Sequence, residues 1–168
     1  NVSNYIAGGV FKEIGSNATF THCTIANNQA QTDGGGVYHR HAGTTRLNQC
    51  ILWGNIAGAE LGGDDGDAMS ITRSSSSTVI INYSNIEGGL NGDYFGGYKV
   101  ATTEFSGSNV NGDPGFEDVL DYNYHFSGTS DICIDCCPDA GVNDDLDGNS
   151  RPIDIPSFGD DGTGDLYD

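Results

Sequence analysis

The sequence predicts an all-β fold, a right-handed parallel β-helix of about three to four coils, on three observations. Residues 8–11 return as 35–38 and residues 23–30 return as 50–57, both at an offset of 27. A third copy, residues 78–86, follows at a looser spacing. In each copy inward and outward side chains alternate, and this alternation is interrupted at the same position. Internal repeats of this length are typical of solenoid architectures.

The copies align position by position. The aligned sets are Ala18, Thr45 and Val79; Phe20, Leu47 and Ile81; Cys23, Cys50 and Ser84; and Ile25, Leu52 and Ile86. Each set is apolar or small, so each is predicted to face the core. The two-residue period slips by one at His22, Gln49 and Tyr83, which indicates two short strands meeting at a bend. Short strands joined by turns rich in Gly and Asn fit the coils of a parallel β-helix.

The composition supports this fold and one domain with two segments. Glycine occurs 26 times in 168 residues, about twice its average share, while helix-forming residues are scarce. We expect coils over residues 1–110 and an Asp-rich C-terminal capping or extension segment over 111–168, as parts of the same domain. The sequence contains no run of about 20 apolar residues, the length that a membrane-spanning helix needs. We expect a soluble, extracellular protein whose signal or anchor has been removed.

The charge lies mainly in the C-terminal segment. The formal net charge is −18, and 15 of the 24 acidic residues follow Val110 with Arg151 as the only base there. Nucleic acid is therefore an implausible partner. Fourteen of these 15 acids are aspartates, many beside glycine, which favours loops that bind a hard cation such as Ca²⁺. The alternative is a solvated acidic tail.

One window has the ligand spacing of a calcium loop. Oxygen-bearing side chains stand at loop positions 1, 3, 5 and 12, with glycine at position 6: Asn143, Asp145, Asp147 and Asp154, with Gly148. Asn149, in the same window, is a further candidate ligand. Pro152 inside the loop and the lack of flanking helical patterns exclude an EF-hand. A helix-free calcium loop and a plain Asp/Gly turn remain the alternatives. Weaker candidate ligands, grouped only by clustering, are Asp64, Asp65 and Asp67, and Asp160, Asp161 and Asp165.

The cysteines form two groups. Cys23 and Cys50 are predicted to occupy the same inward position on adjacent coils as a ladder of small side chains, and a disulfide between them is possible but not required. The other three, Cys133, Cys136 and Cys137, are close enough in sequence for a local disulfide in an oxidising compartment. A zinc site there would need His125 as a fourth ligand.

Catalytic patterns are sparse, and we expect no enzymatic activity. His39 and His41 flank Arg40, so a strand would point both to one face, where they could meet a substrate or metal. The alternative is a polar outer face. Polysaccharide cleavage by elimination would need a basic residue, for which the chain offers Lys12, Arg40, Arg46, Arg73, Lys99 and Arg151.

Several short strings together carry a family resemblance. They are Cys-Thr-Ile-Ala-Asn-Asn at 23–28, Gly-Gly-Gly-Val-Tyr at 34–38, Cys-Ile-Leu-Trp-Gly-Asn at 50–55, Tyr-Ser-Asn-Ile-Glu-Gly-Gly at 83–89, Gly-Asp-Pro-Gly-Phe at 112–116, Asn-Tyr-His at 123–125, Cys-Ile-Asp at 133–135 and Asp-Leu-Asp-Gly-Asn-Ser-Arg-Pro at 145–152. In this order they resemble the choice-of-anchor Q domain proteins. The resemblance implies a secreted or surface-attached protein of the pectate-lyase-like superfold, and it supplies no catalytic residues. The chain departs from the family pattern at residues 136–139. The family tends to have Ala-Gly directly after Cys-Ile-Asp, whereas here these four residues lie between the two.

The beginning of the chain suggests how the protein associates. Gly8, Gly9 and Val10 already match the next copy, so we expect either preceding coils or another protomer stacked on this end. The first functional hypothesis is a calcium-stabilised structural protein that stacks end to end into a filament, fibre or adhesin. The second is a carbohydrate-binding or lyase-like module, with Trp53, Tyr94, Phe95 and Tyr98 as candidates for sugar stacking. The third is a passive spacer. Sequons at Asn1, Asn17 and Asn82 could carry glycans.

Overall fold

The computed structural model describes an all-β chain that divides into two compact units, residues 1–111 and 112–168. The described residues are 1–58, 68–71, 76–89, 95–97, 102–106, 109–127, 133, 143–144 and 147–148. Over these ranges the regular structure consists of short strands, and no helix is long and apolar enough to cross a membrane.

Among the described residues of the first unit there are 14 strands of two to six residues. They are β1 (Val2–Ser3), β2 (Val10–Lys12), β3 (Ala18–Thr21), β4 (Thr24–Ala26), β5 (Gln29–Ala30), β6 (Val37–His39), β7 (Gly43–Asn48), β8 (Ile51–Trp53), β9 (Ile56–Ala57), β10 (Met69–Ile71), β11 (Ser77–Asn82), β12 (Asn85–Ile86), β13 (Phe95–Gly97) and β14 (Thr102–Ser106). We call β1–β4 the first repeat, β5–β8 the second and β9–β12 the third.

Each repeat contributes one strand to each of four short, separate, parallel sheets. Their orders are β1-β5-β9, β13-β10-β6-β2, β14-β11-β7-β3 and β12-β8-β4. Consecutive strands in the chain therefore belong to different sheets, and each strand of the first two repeats pairs with its equivalent in the next repeat. An isolated parallel bridge between Asn85 and Val110 extends the fourth sheet by one residue.

The register of these sheets confirms the sequence alignment. Ala18 pairs with Thr45, which pairs with Val79. Ile25 pairs with Leu52, which pairs with Ile86. The sets that begin with Phe20 and Phe11 follow the same pattern in their sheets. Because parallel in-register pairing stacks identical positions, an apolar position in one repeat requires an apolar or small one in the next.

The predicted bends are also confirmed. His22, Gln49 and Tyr83 have φ angles of 52°, 54° and 48°, in the left-handed region that non-glycine residues seldom adopt. Each lies between two strands of its repeat. One left-handed residue reverses which side chains face inward, and this explains why the two-residue period slips there.

The inward positions form one apolar cluster in the first unit. Its fully buried members include Val37, Leu47, Leu52, Met69, Val79 and Ile81. Leu52 lies between Ile25 and Ile86 in register, so its side chain is packed by the repeats on both sides. Burial of such side chains is worth about 1.5–3 kcal/mol each.

Repeated glycines bring neighbouring repeats into close contact. A Cβ atom on Gly9 would lie 2.6 Å from the Gly36 carbonyl oxygen and 2.9 Å from the Asn28 amide nitrogen. A Cβ atom on Gly36 would meet the Ala68 carbonyl and the Asn55 amide in the same way. The repeated Gly-Gly pair therefore leaves the space that an asparagine of the next repeat occupies.

The second unit contains an antiparallel pair, β15 (Phe116–Asp118) and β16 (Asn123–Phe126). Phe116 packs edge to face on Tyr124 and stacks on Phe126, with ring centroids 5.2 and 6.0 Å apart. In the connecting turn the Asp118 carboxylate accepts from the amides of Leu120 and Asp121 over 3.0 and 3.2 Å. The Asp118 side chain therefore satisfies two backbone amides of this turn.

Candidate functional site

The strands of the first repeat form one edge of all four sheets. In the part of the chain that the structure describes, β1, β2, β3 and β4 each pair with a strand on one side only. Large apolar side chains are exposed along this repeat: Val2, Tyr5, Phe11 and Ile14. An edge with unpaired backbone groups and apolar side chains can accept another strand in each sheet. We call it the first-repeat edge.

A ladder of asparagine side chains runs from this edge into the core. The Asn1 amide donates to Asn28 Oδ1 over 3.0 Å, and the Asn28 amide donates to Asn55 Oδ1 over 3.0 Å. The Asn55 amide in turn donates to the Ile25 carbonyl over 2.8 Å. Each of the two bonds between asparagine side chains spans 27 residues, one repeat. The sequence carries a signal for the ladder, because Asn28 and Asn55 align at the repeat offset of 27.

A second polar cluster is buried between β2, β6 and β7. The Lys12 side chain is only 3% exposed and His39 is fully buried. Lys12 Nζ lies 3.2 Å from His39 Nε2 and donates to the carbonyls of His41 and Ala42. His39 Nδ1 lies 2.9 Å from Thr45 Oγ1, and Nε2 lies 2.7 Å from the His41 carbonyl.

These contacts assign the proton of the neutral His39 ring. A carbonyl oxygen only accepts, so the 2.7 Å contact requires a proton on Nε2. Nδ1 then accepts from the Thr45 hydroxyl. The Lys12 ammonium group donates its own protons to the carbonyls of His41 and Ala42. The cluster therefore holds a neutral imidazole, which is suited to support the turn between β6 and β7.

The prediction that His39 and His41 share a strand face was wrong, as was the alternative of a polar outer face. β6 ends at His39, which points into the core. His41 lies in the following turn with a φ of 48°. The turn breaks the two-residue period, so spacing alone placed the pair incorrectly.

Burial gives this cluster a lowered affinity for protons. Burial, with a smaller contribution from nearby Lys12, lowers the pKa of His39 to about 4. Burial also lowers the pKa of Lys12, while Glu13 opposes that shift. Protonated His39 would place two positive charges 3.2 Å apart inside the protein.

We expect the free energy of unfolding to fall as the pH drops from about 6.5 to 4. The unfolded chain takes up the His39 proton near pH 6.5, whereas the folded chain resists it down to about pH 4. This one group then removes up to about 3 kcal/mol of stability by pH 4. Urea denaturation of the protein and of His39→Gln at several pH values measures the effect as a difference in slope.

His125→Gln is the matched control for this experiment. His125 is an exposed histidine, 3.4 Å from Asp147. Its loss should leave most of the slope in place. A His39→Gln variant with the same slope as the unchanged protein would contradict the assignment, because carboxylates common to both would then account for all of the pH dependence.

The structure describes only part of the predicted calcium ligands. Asn143 and Asp147 are described and exposed, and Asp147 contacts His125. Gly148 has a φ of 79°, the left-handed conformation that a sharp loop reversal needs. Asp145, Asn149, Asp154, Asp160, Asp161, Asp165, Asp64, Asp65 and Asp67 lie outside the described residues. Over the described ranges, no three acidic, histidine or cysteine side chains group around a metal position.

The cysteine predictions fall on both described and undescribed residues. Cys23 and Cys50 lie at equivalent positions, each just before a strand of the same sheet, as the ladder prediction requires. Cys133 is buried. Cys136 and Cys137 lie outside the described residues, so a local disulfide and a zinc site with His125 stay predictions.

No protein-family model, curated protein sequence or solved structure matches this chain.

Proposed function

We propose that this protein is an extracellular or cell-surface structural protein, a right-handed parallel β-helix that stacks end to end with copies of itself. Four parallel sheets that each gain one strand per repeat support the β-helix, since a chain that visits four sheets in turn winds around a common core. The resemblance to choice-of-anchor Q domain proteins supports the surface location.

The first-repeat edge is the observation that carries self-association. Any further repeat would pair in parallel with β1–β4, as the second repeat already does on their other side. Phe11 is 43% exposed and stacks on Tyr38 at 5.8 Å, so its outer surface could pack against an equivalent aromatic residue. A contact between unlike ends extends into a filament where it does not close into a ring.

Calcium is proposed as the ion that permits this assembly. A formal charge of −18 per chain would repel copies of the protein from one another. The loop residues Asn143, Asp145, Asp147, Asn149 and Asp154 offer the oxygen ligands that calcium prefers. Bound calcium would neutralise part of the charge of the C-terminal segment.

We expect the protein to form elongated particles in calcium that shorten or dissociate after chelation. Light scattering gives the particle mass, and electron microscopy gives the shape. Phe11→Lys should abolish elongation, because it places a charge on the first-repeat edge. Leu120→Lys, at an exposed apolar residue of the second unit, is the matched control and should still assemble. A compact monomer in calcium would contradict the proposal.

A carbohydrate-binding module is the second candidate, and the aromatic pair on β2 and β6 favours it. Phe11 is 43% exposed and stacks on the buried Tyr38 with an interplanar angle of 7°, so its ring is held in place for a sugar to pack against. Lyase chemistry receives less support, since Lys12 is buried and Arg40 lies 3.7 Å from Glu13. Incubation with acidic polysaccharides, followed by binding and by unsaturated products, tests this candidate. No response across a broad panel would reject it.

A further inference from the structure

The thiols of Cys23 and Cys50 are neighbours in adjacent repeats. Thr24 pairs with Ile51, and the Ile51 amide donates to the Cys23 carbonyl over 2.9 Å. Cys23 lies close enough to the Cys50 thiol to contribute to the shift of its pKa. Neither belongs to a disulfide in this structure. Cys50 is buried and Cys23 is partly exposed, so a reagent can reach one of the two first.

The backbone geometry suits a covalent link between them. Paired strands lie about 4.8 Å apart, and the Cα atoms of a disulfide are usually about 4.4–6.8 Å apart. Both thiols are held alike: Cys23 Sγ donates to the Thr21 carbonyl over 3.4 Å and Cys50 Sγ to the Asn48 carbonyl over 3.3 Å. Because both thiols leave neighbouring main chains in the same way, a link between them would need rotation of the side chains rather than a large movement of the main chain.

The third repeat has a serine at the position that Cys23 and Cys50 occupy in the first two. This residue is Ser84, and its hydroxyl donates to the Asn82 carbonyl over 2.9 Å. Ser84 Oγ also accepts from the Cys50 amide over 3.0 Å. A serine therefore fits the same site and makes the same bond to the carbonyl two residues earlier. This makes cysteine-to-serine changes at the first two positions conservative.

We propose that Cys23 and Cys50 form a disulfide between the first and second repeats when a small disulfide such as oxidised glutathione is present. The Cys23 thiolate attacks one glutathione sulfur, the glutathione S–S bond breaks, and one glutathione thiolate leaves. Cys50 then loses its proton, and its thiolate attacks Cys23 Sγ and releases the second glutathione thiolate. Two protein thiols are oxidised, and one glutathione disulfide is reduced to two thiols.

The second step is the slower one. Burial raises the pKa of Cys50 to about 12, so its thiolate is scarce at neutral pH. A mixed disulfide on Cys23 should therefore accumulate before the link between repeats forms. The finished link closes a loop across 27 residues of chain, the difference between positions 50 and 23. Constraining the unfolded chain in this way should raise the Tm by roughly 10 °C.

The experiment treats the reduced full chain with oxidised glutathione and maps the product by trypsin and mass spectrometry. Trypsin cuts after Arg40 and Arg46, which separates the peptide of Cys23, residues 13–40, from that of Cys50, residues 47–73. The expected product is these two peptides joined, with the loss of two hydrogen atoms. Cys133, Cys136 and Cys137 fall on a later peptide and are distinguished by mass.

Two results would overturn the proposal: glutathione that stays on Cys23 with no joined peptide, or oxidation confined to the C-terminal cysteines. Cys50→Ser should stop at the glutathione adduct of Cys23, and Cys23→Ser should not react at Cys50. The mapping of the unchanged protein decides the question even if a variant folds poorly. The outcome is independent of end-to-end stacking, which is measured by particle mass.

Discussion

Replacing Asn55 with alanine is expected to lower the free energy of unfolding by about 3–5 kcal/mol. Asn55 is 3% exposed, and its Oδ1 accepts from both the backbone and the side-chain amide of Asn28, over 3.1 and 3.0 Å. Its own amide donates to the Ile25 carbonyl. The alanine variant leaves three buried polar groups without these partners, and each such group costs about 1–3 kcal/mol.

Asn17→Ala is the matched control for the ladder. Asn17 Oδ1 also accepts from a backbone amide of the next repeat, that of Thr44 over 2.8 Å, but this bond is exposed to water. Water can replace the lost acceptor there, so the expected cost is about 1 kcal/mol or less. Urea denaturation of both variants gives the comparison. Equal costs would show that the ladder contributes no more than a surface hydrogen bond.

Replacing Leu52 with alanine is expected to lower the free energy of unfolding by about 2–5 kcal/mol. Leu52 is fully buried and stacks between Ile25 and Ile86. The repeats on either side are joined through the backbone, so they cannot move together to fill the space. The lost transfer free energy therefore adds to the cost of a cavity.

Two further variants separate the cavity from general effects of substitution. Leu52→Ile keeps the volume and should cost less than about 1.5 kcal/mol. Ile56→Ala removes a half-exposed side chain from β9 and should cost less than Leu52→Ala. Thermal and urea unfolding measure all three. If Leu52→Ala and Ile56→Ala were equally destabilising, Leu52 would not be part of a closely packed core.

The repeat made much of the first unit predictable from the sequence. A fixed offset of 27 residues aligned Ile25 with Leu52 and Phe20 with Leu47, and the structure pairs these residues in register. The slip at His22 and Gln49 predicted bends, where the structure has left-handed residues. These features are predictable because two patterns can be read from the order of residues alone. One is the alternation of side chains along a strand, and the other is the recurrence of equivalent positions after 27 residues.

The side-chain clusters were much less predictable. The offset of 27 residues places Lys12 beside His39 in register, but it does not indicate that both side chains are buried, since that depends on where β6 ends and how the next turn folds. The calcium loop illustrates a different gap. Its spacing is explicit in the sequence, but most of its residues lie outside the described part of the chain. Calcium binding is therefore a proposal for experiment.

By itself, the sequence determined the all-β class, the repeat length, the register and the inward positions of this protein, because each follows from periodicity along the chain. Only the tertiary structure decided that Asn28 and Asn55 bond to each other and that Lys12 lies against a neutral His39. These contacts join residues 27 positions apart. Their geometry depends on the direction in which each turn aims its side chains, and periodicity does not specify that direction.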